Sequence, residues 1–287
     1  MLMNMNQILS LANQHNFAVP AFNISNYAML NGVLEVSEKK QAPLIIAIHP
    51  DELSHIGTDM MISIIQKAHH ATVPVCIHLD HGSSFSQVMA AIQSGFTSVM
   101  IDGSTLSFED NVTLSRKVVE AAHAVNVSVE GELGTIGSAD GEAENGANTI
   151  VYTSPDDAVK FVKRTGVDAL AVAIGTSHGL YPKDMQPKLE LELLKKIKTC
   201  ISIPLVLHGG SGNTDSEINN SVKLGVNKIN ISSDIKAAYY TKMREVLADR
   251  SLREPNSIEP PCVAAMSEVV AHKITLFQAD SKALLYR

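Results

Sequence analysis

Three short stretches of this chain place a histidine where an apolar, β-prone run gives way to glycine. They read His78-Leu79-Asp80-His81-Gly82, Gly175-Thr176-Ser177-His178-Gly179 and His208-Gly209-Gly210-Ser211-Gly212. Neutral imidazoles brought together at such ends make a site for Zn²⁺ that leaves one position open for substrate or water. One histidine of this kind is ordinarily a hydrogen-bonded structural residue. Three in equivalent positions, with carboxylates nearby, favour a metal site. Most other histidines read differently: His15, His55, His69, His70, His123 and His272 fall on surface or helical positions. His78 lies two residues before Asp80, hence on the same face of a strand, as its support.

The glycines point to a second kind of chemistry. Gly209-Gly210-Ser211-Gly212 leads through Asn213-Thr214-Asp215 into a helical pattern, and Asn230-Ile231-Ser232-Ser233 makes a similar turn. Turns like these offer backbone N–H groups to an anion at a helix start, and barrels commonly bind phosphate after their last two strands.

These segments need a frame. Short apolar runs at 18–24, 44–48, 75–80, 98–102, 127–132, 169–174, 205–208 and 228–231 alternate with amphipathic stretches. The latter cover 26–39, 59–71, 84–94, 109–124, 154–165, 189–199, 215–224 and 235–247. Val112, Ser115, Val118, Val119 and Ala122 show the helical period. Eight strand–helix alternations predict an α/β chain folded as a single (β/α)₈ barrel over residues 1–287. An open doubly wound sheet shares the alternation, but no glycine-rich dinucleotide fingerprint follows the first strand. Residues 133–149, rich in Gly and Ala and weakly periodic, read as a long mobile loop over the mouth.

Composition narrows the class. The chain has 287 residues, 45% of them hydrophobic and 18% charged, which supports a large core and excludes disorder. Lys and Arg number 23 against 30 Asp and Glu, and no basic cluster marks a nucleic-acid partner. No apolar run is long enough for a membrane span, and Met1–Ser10 carries no leader pattern. Cys76, Cys200 and Cys262 are scattered and odd in number, as in a reducing cytoplasm.

In combination, the motifs HLDHG, SVMIDGS, VEGELG, AVAIGTSHG, PLVLHGGSG and GVNKINISSDIK resemble those of the class II, metal-dependent ketose-bisphosphate aldolases. Within that family the chain is similar to the tagatose- and fructose-bisphosphate aldolase branch, from Val19 to about Phe277. The resemblance implies a lyase that reversibly cleaves a ketose 1-phosphate or 1,6-bisphosphate to dihydroxyacetone phosphate and an aldehyde through a zinc-stabilised enediolate. It makes His81, His178 and His208 the Zn²⁺ ligands and Asp80 the acid/base at the substrate hydroxyl. Asp102 and Glu132 become carboxylates beside the metal, where an alternative or second metal position can form. Asn23, Gly179, Gly209, Gly210, Ser211, Asn230, Ile231, Ser232 and Ser233 become the substrate and phosphate cradle. A monovalent cation, Na⁺ or K⁺, near Gly179 and a homodimer or homotetramer complete what the family implies.

The chemistry of C–C cleavage agrees with that assignment. The carbanion left beside a ketone needs either a Schiff-base lysine or a Lewis-acid metal. No lysine ends a barrel strand, and Lys228 begins the eighth. The resemblance implies a second acid/base, a glutamate in relatives, on the loop after the fifth strand. The matching stretch reads Ser138-Ala139-Asp140-Gly141-Glu142, so either Asp140 or Glu142 serves.

Two departures touch the aldehyde half. Relatives that accept bisphosphates carry Asp-Pro-Arg where this chain has Glu254-Pro255-Asn256, and Asn offers no guanidinium fork, although Arg253 is adjacent. His49 replaces a small hydroxyl residue. Both predict an aldehyde without a distal phosphate. Two alternatives stand beside the aldolase: another metal-dependent sugar-phosphate enzyme on the same barrel, and a non-catalytic companion subunit.

Overall fold

The computed structural model describes residues 1–138, 150–180 and 188–287. In chain order the elements begin with α1 (Met5–His15), β1 (Val19–Asn23), α2 (Tyr27–Lys40), β2 (Leu44–Ile48), α3 (Pro50–Ile56), α4 (Asp59–His70) and β3 (Val75–Gly82). They continue with α5 (Phe85–Gln93), β4 (Ser98–Ile101), α6 (Phe108–His123), β5 (Ser128–Leu133), β6 (Gly137–Ser138), α7 (Pro155–Thr165) and β7 (Ala169–Val172). The last are β8 (Ser177–His178), α8 (Leu191–Cys200), β9 (Leu205–Leu207), α9 (Asp215–Lys223), β10 (Val226–Ile231), α10 (Ser233–Val246) and α11 (Pro255–Leu276).

Eight strands close a parallel barrel in the order β1-β10-β9-β7-β5-β4-β3-β2, as the alternation predicts. Every residue of these strands is buried, because the helices cover the outside while side chains fill the inside. The outward residues are apolar and make the main core with the helices: Ile46 pairs in register with Ile77, and Val99 with Val129. The inward residues are less ordinary. Barrel interiors are usually layers of Val, Ile and Leu. Here β3 turns His78 and Asp80 inward, β5 Glu130 and Glu132, and β10 Lys228 and Asn230, all buried. The interior hydrogen bonds between these strands fix that orientation.

Two features depart from the expected elements. Helices α1, α3 and α11 lie outside the predicted set. Asn4 and Gln7 start α1 with a reciprocal capping box, and α11 runs through Pro260 and Pro261. The short strands β6 and β8 form a separate two-stranded pair in which Ser138 stands opposite His178. They extend from the loops after β5 and β7, so part of the expected lid is strand. Residues 139–149 lie outside the described residues, and Asp140 and Glu142 with them.

Candidate active site

Asp80 and His81 are consecutive, and in a regular strand they would face opposite sides of the sheet. The β3–β4 register shifts between Leu79 and Gly82, and His81 adopts φ 50°, in the left-handed region. This bulge turns both side chains to the barrel mouth. Gly82 completes it, since a Cβ there would meet the Met100 carbonyl oxygen at 2.6 Å. Backbone strain of this kind at a non-glycine residue concentrates at functional sites.

His178 enters from β8 and His208 from the residue after β9. Ring centroids lie 5.0 Å apart for His81 and His178 and 4.6 Å for His81 and His208. One nitrogen from each of the three rings falls within 4.8 Å of the others. His81 Nε2, His178 Nε2 and His208 Nδ1 are all buried without a hydrogen-bond partner. Buried polar atoms are rarely left this way in protein interiors. Three unpartnered ring nitrogens converging on one point fit a divalent cation.

The opposite ring nitrogens explain which atoms are left open. His81 Nδ1 lies 2.9 Å from Asp102 Oδ2, and Asp102 Oδ1 accepts from the backbone N–H and hydroxyl of Ser104. His208 Nε2 lies 2.7 Å from Glu130 Oε1. Each carboxylate holds an N–H and turns the other nitrogen outward. His81, Asp102 and Glu132 also form a second group with donor atoms within 4.8 Å. The site as a whole is rich in negative charge. Burial works against a charged His81, yet Asp80, the hydrogen bond to Asp102, and Glu132 together hold it up to about 10. Burial and the neighbouring Asp102 push the Glu132 carboxyl well above its ordinary range. An added cation relieves both.

Asp80 is 1% exposed, and amides grip both of its oxygens. Asn23 Nδ2 donates to Oδ2 and Asn230 Nδ2 to Oδ1, each at 2.9 Å. Burial opposes its charge, but His81, His208, Lys228 and His78 outweigh that and keep its pKa well below the usual carboxylate range. It therefore remains an oriented carboxylate.

Beside it a pocket is lined by Asn23, Asp80, His178, Gly179, Gly209 and Ser211, with Asn230, Ser232, Ser233 and Lys236 on the β10 side. The start of α10 opens into it with no side-chain cap, and the Asp234 N–H there donates to Ser211 Oγ at 3.3 Å; a helix start of this kind favours an anion. Gly209 has φ 64°, and a Cβ on it would stand 2.5 Å from the Ser177 carbonyl oxygen, so glycine alone fits there. Gly210 and Ile231 sit behind the pocket: the Gly210 N–H donates to the Asn230 carbonyl at 3.3 Å, and Ile231 is fully buried.

Four charged residues escaped the sequence reading. Glu130 and Lys228 line the interior beneath the histidines. Glu52 and Lys236 pair at 2.6 Å across the end of β1, and Glu52 also accepts from Ser25. The period-two rule that linked His78 to Asp80 would have linked Glu130 to Glu132 and Lys228 to Asn230. Nothing in the sequence pairs Glu52 with Lys236, which come from helices at opposite ends of the chain. His49, expected at the end of the second strand, caps α3 and keeps its ring centroid 6.3 Å from that of His81.

A closed parallel barrel with three imidazoles converging beside a polar pocket at its C-terminal mouth is the architecture of a barrel enzyme with its site at the strand ends. The family model described as fructose-bisphosphate aldolase class-II matches residues 3–282. A fructose-bisphosphate aldolase of Geobacillus stearothermophilus is 38% identical over 287 residues, covering 98% of this chain and 99% of that one. Among solved structures, the YdjI aldolase of Escherichia coli K12 is 33% identical, with TM-score 0.87 over 99% of this chain and 100% of its own. A fructose-bisphosphate aldolase of Campylobacter jejuni, 23% identical, shares the fold with TM-score 0.81 over 98% and 96% of the two chains. The chain belongs to the class II fructose-bisphosphate aldolase family. It is an aldolase and so a lyase, in a family that is generally zinc-dependent and uses dihydroxyacetone phosphate and aldehyde substrates. Among the described residues no helix is long and apolar enough to cross a membrane.

Proposed function

We propose that this aldolase cleaves a ketose phosphate reversibly to dihydroxyacetone phosphate and an aldehyde, with His81, His178 and His208 holding a divalent cation, Zn²⁺ by family habit. The observation that carries the reading is the set of three buried imidazole nitrogens left without partners around one point. A cation bound there supplies a Lewis acid for the charge that develops beside the ketone as the C–C bond breaks. Asp80, ionised and fixed by Asn23 and Asn230, takes the proton from the C4 hydroxyl in cleavage and returns it in condensation. The Asn230 amide also hydrogen-bonds the oxygen that gains charge on the dihydroxyacetone side. The phosphate rests on backbone N–H groups around Gly179, Gly209, Ser211, Ser232 and Ser233 at the start of α10. Asp102 holds His81 and, with Glu132, offers the alternative metal position. Asp140 or Glu142 moves the proton on the dihydroxyacetone carbon, and a Na⁺ or K⁺ ion near Gly179 completes the phosphate site.

The aldehyde carries no distal phosphate in this reading. Asn256 stands on the exposed first turn of α11, where a guanidinium would be needed. The enzyme works in the cytoplasm as a homodimer or homotetramer, with the groove between α2 and α11, lined by Ala28, Val36, Val263 and Ala264, as a natural contact.

Chelation tests the core of the proposal. Activity should vanish with a strong chelator and return with one equivalent of Zn²⁺ per chain; full activity in metal-free protein would overturn it. A side-by-side cleavage assay should favour a ketose 1-phosphate over the 1,6-bisphosphate, and a clear preference for the bisphosphate would refute the aldehyde assignment.

A further inference from the structure

Beneath the imidazole cluster lies an ion pair that the reaction itself does not use. Lys228 Nζ is 2.8 Å from Glu130 Oε2, with both side chains at 0% exposure. Glu130 spends its other oxygen on His208 Nε2, at 2.7 Å. His78 closes the group: its Nδ1 lies 2.8 Å from Ser98 Oγ and its Nε2 3.4 Å from Lys228 Nζ. A pair this deep is a poor device for stability, because desolvating two charges offsets most of their attraction and apolar replacements often do as well. Nor does Lys228 present a free amine to the pocket, since Glu130 and His78 occupy it.

The geometry points to Glu130 and Lys228 as a positioning pair that selects which nitrogen of His208 faces the barrel mouth. Glu130 accepts the Nε2 proton, so the Nδ1 lone pair is the one presented. His81 is arranged the other way, with Asp102 on Nδ1 and Nε2 open. The two rings therefore need opposite tautomers, and each has its own carboxylate to impose one. Asp102 is tied down by Ser104 near the mouth. Among the described residues no backbone N–H donates to the Glu130 carboxylate, and it depends on the Lys228 ammonium to stay in place. The neutral His78 is suited to accept from that ammonium: burial, with Lys228 beside it, pushes its pKa down to about 3. Glu130, Lys228 and His78 thus act through His208 and touch no reacting atom.

This inference rests on the metal-site reading above, and the test separates the two. Full-length wild type is compared with the folded double variants Glu130→Gln/Lys228→Met and Glu130→Leu/Lys228→Met, titrating Co²⁺ and following its visible absorption. Failure of wild type to bind Co²⁺ at the histidines would remove the metal site itself. With wild-type binding in hand, the Gln/Met variant keeps an acceptor for His208 and should lose less than about tenfold in affinity. The Leu/Met variant should lose roughly 10–100-fold and change its spectrum. Equal affinities in all three would overturn the positioning role. If the double variants do not fold, the metal-free wild type still decides. In ¹⁵N-histidine-labelled protein, with His208 assigned by its absence in the His208→Asn chain, the ring must show the Nε2–H tautomer; the Nδ1–H form would refute the inference.

Discussion

The two ends of this barrel are built from the same kinds of residue and treat them in opposite ways. At the N-terminal end polar groups are saturated. Asn4 Nδ2 donates to Asn126, Asn6 N–H to Ser128, Asn13 Nδ2 to the Ser202 carbonyl, and Asn227 Nδ2 to the Phe17 carbonyl. Asp168 accepts from both the Val129 N–H and His123. At the C-terminal end the buried polar atoms go unpaired: Asn23, His81, Glu132, Thr176, His178, His208, Asn213 and Asn230 each leave one. Ser37 is the sole such residue away from the mouth among those described. The contrast separates stability from function without reference to any relative. One end spends its hydrogen bonds on holding the sheet closed, and the other withholds them for a ligand.

The sharpest way to break that division is at Asp80. Asp80→Asn keeps the size and offers an amide between Asn23 and Asn230 but cannot take a proton. Its kcat should fall by about 10²–10⁴-fold, with metal content and thermal stability near those of wild type. A variant that kept its kcat would place the proton transfer elsewhere.

The opposite substitution belongs to the other end. Asp168→Ala strips the Val129 N–H of a 2.7 Å acceptor and frees His123. It should cost about 1–3 kcal/mol in denaturant unfolding and leave kcat and KM unchanged. A drop in kcat without loss of stability would show the two ends to be coupled.

The same division explains what the sequence could and could not reveal. The barrel was legible because strands buried on both faces read as apolar runs spaced by amphipathic helices. The three histidines and the glycine turns were legible because each sits at a strand end. The Asp80–His81 bulge was not, since a register shift leaves no mark in residue type. The Glu130–Lys228 pair lay in plain view at period two but inside runs counted as apolar. Helix α11 has Pro260 and Pro261 inside it, and these interrupt any helical period there. Lys236 and Glu52 meet only because β10, β1 and β2 are neighbours in the closed sheet, a fact of topology rather than of local pattern.

The smallest expected effect tests whether the saturated end is as tightly closed as its hydrogen bonds suggest. Lys198, on α8, directs its amine to Asn13 Oδ1 at 2.6 Å, and burial pushes its pKa down to about 8. An amine whose pKa is lower in the folded chain holds fewer protons there than in the unfolded chain between about pH 8 and its ordinary value near 10.5. Unfolding then takes up a proton, and this group's contribution to stability rises with pH across that window. Lys198→Met removes the titration. Thermal melts from pH 7 to 10 should show wild type gaining on the variant above pH 8, while the aldolase rates of the two chains stay alike at every pH. A constant difference in melting temperature would mean that water reaches the amine, and that this end of the barrel is looser than its hydrogen bonds imply.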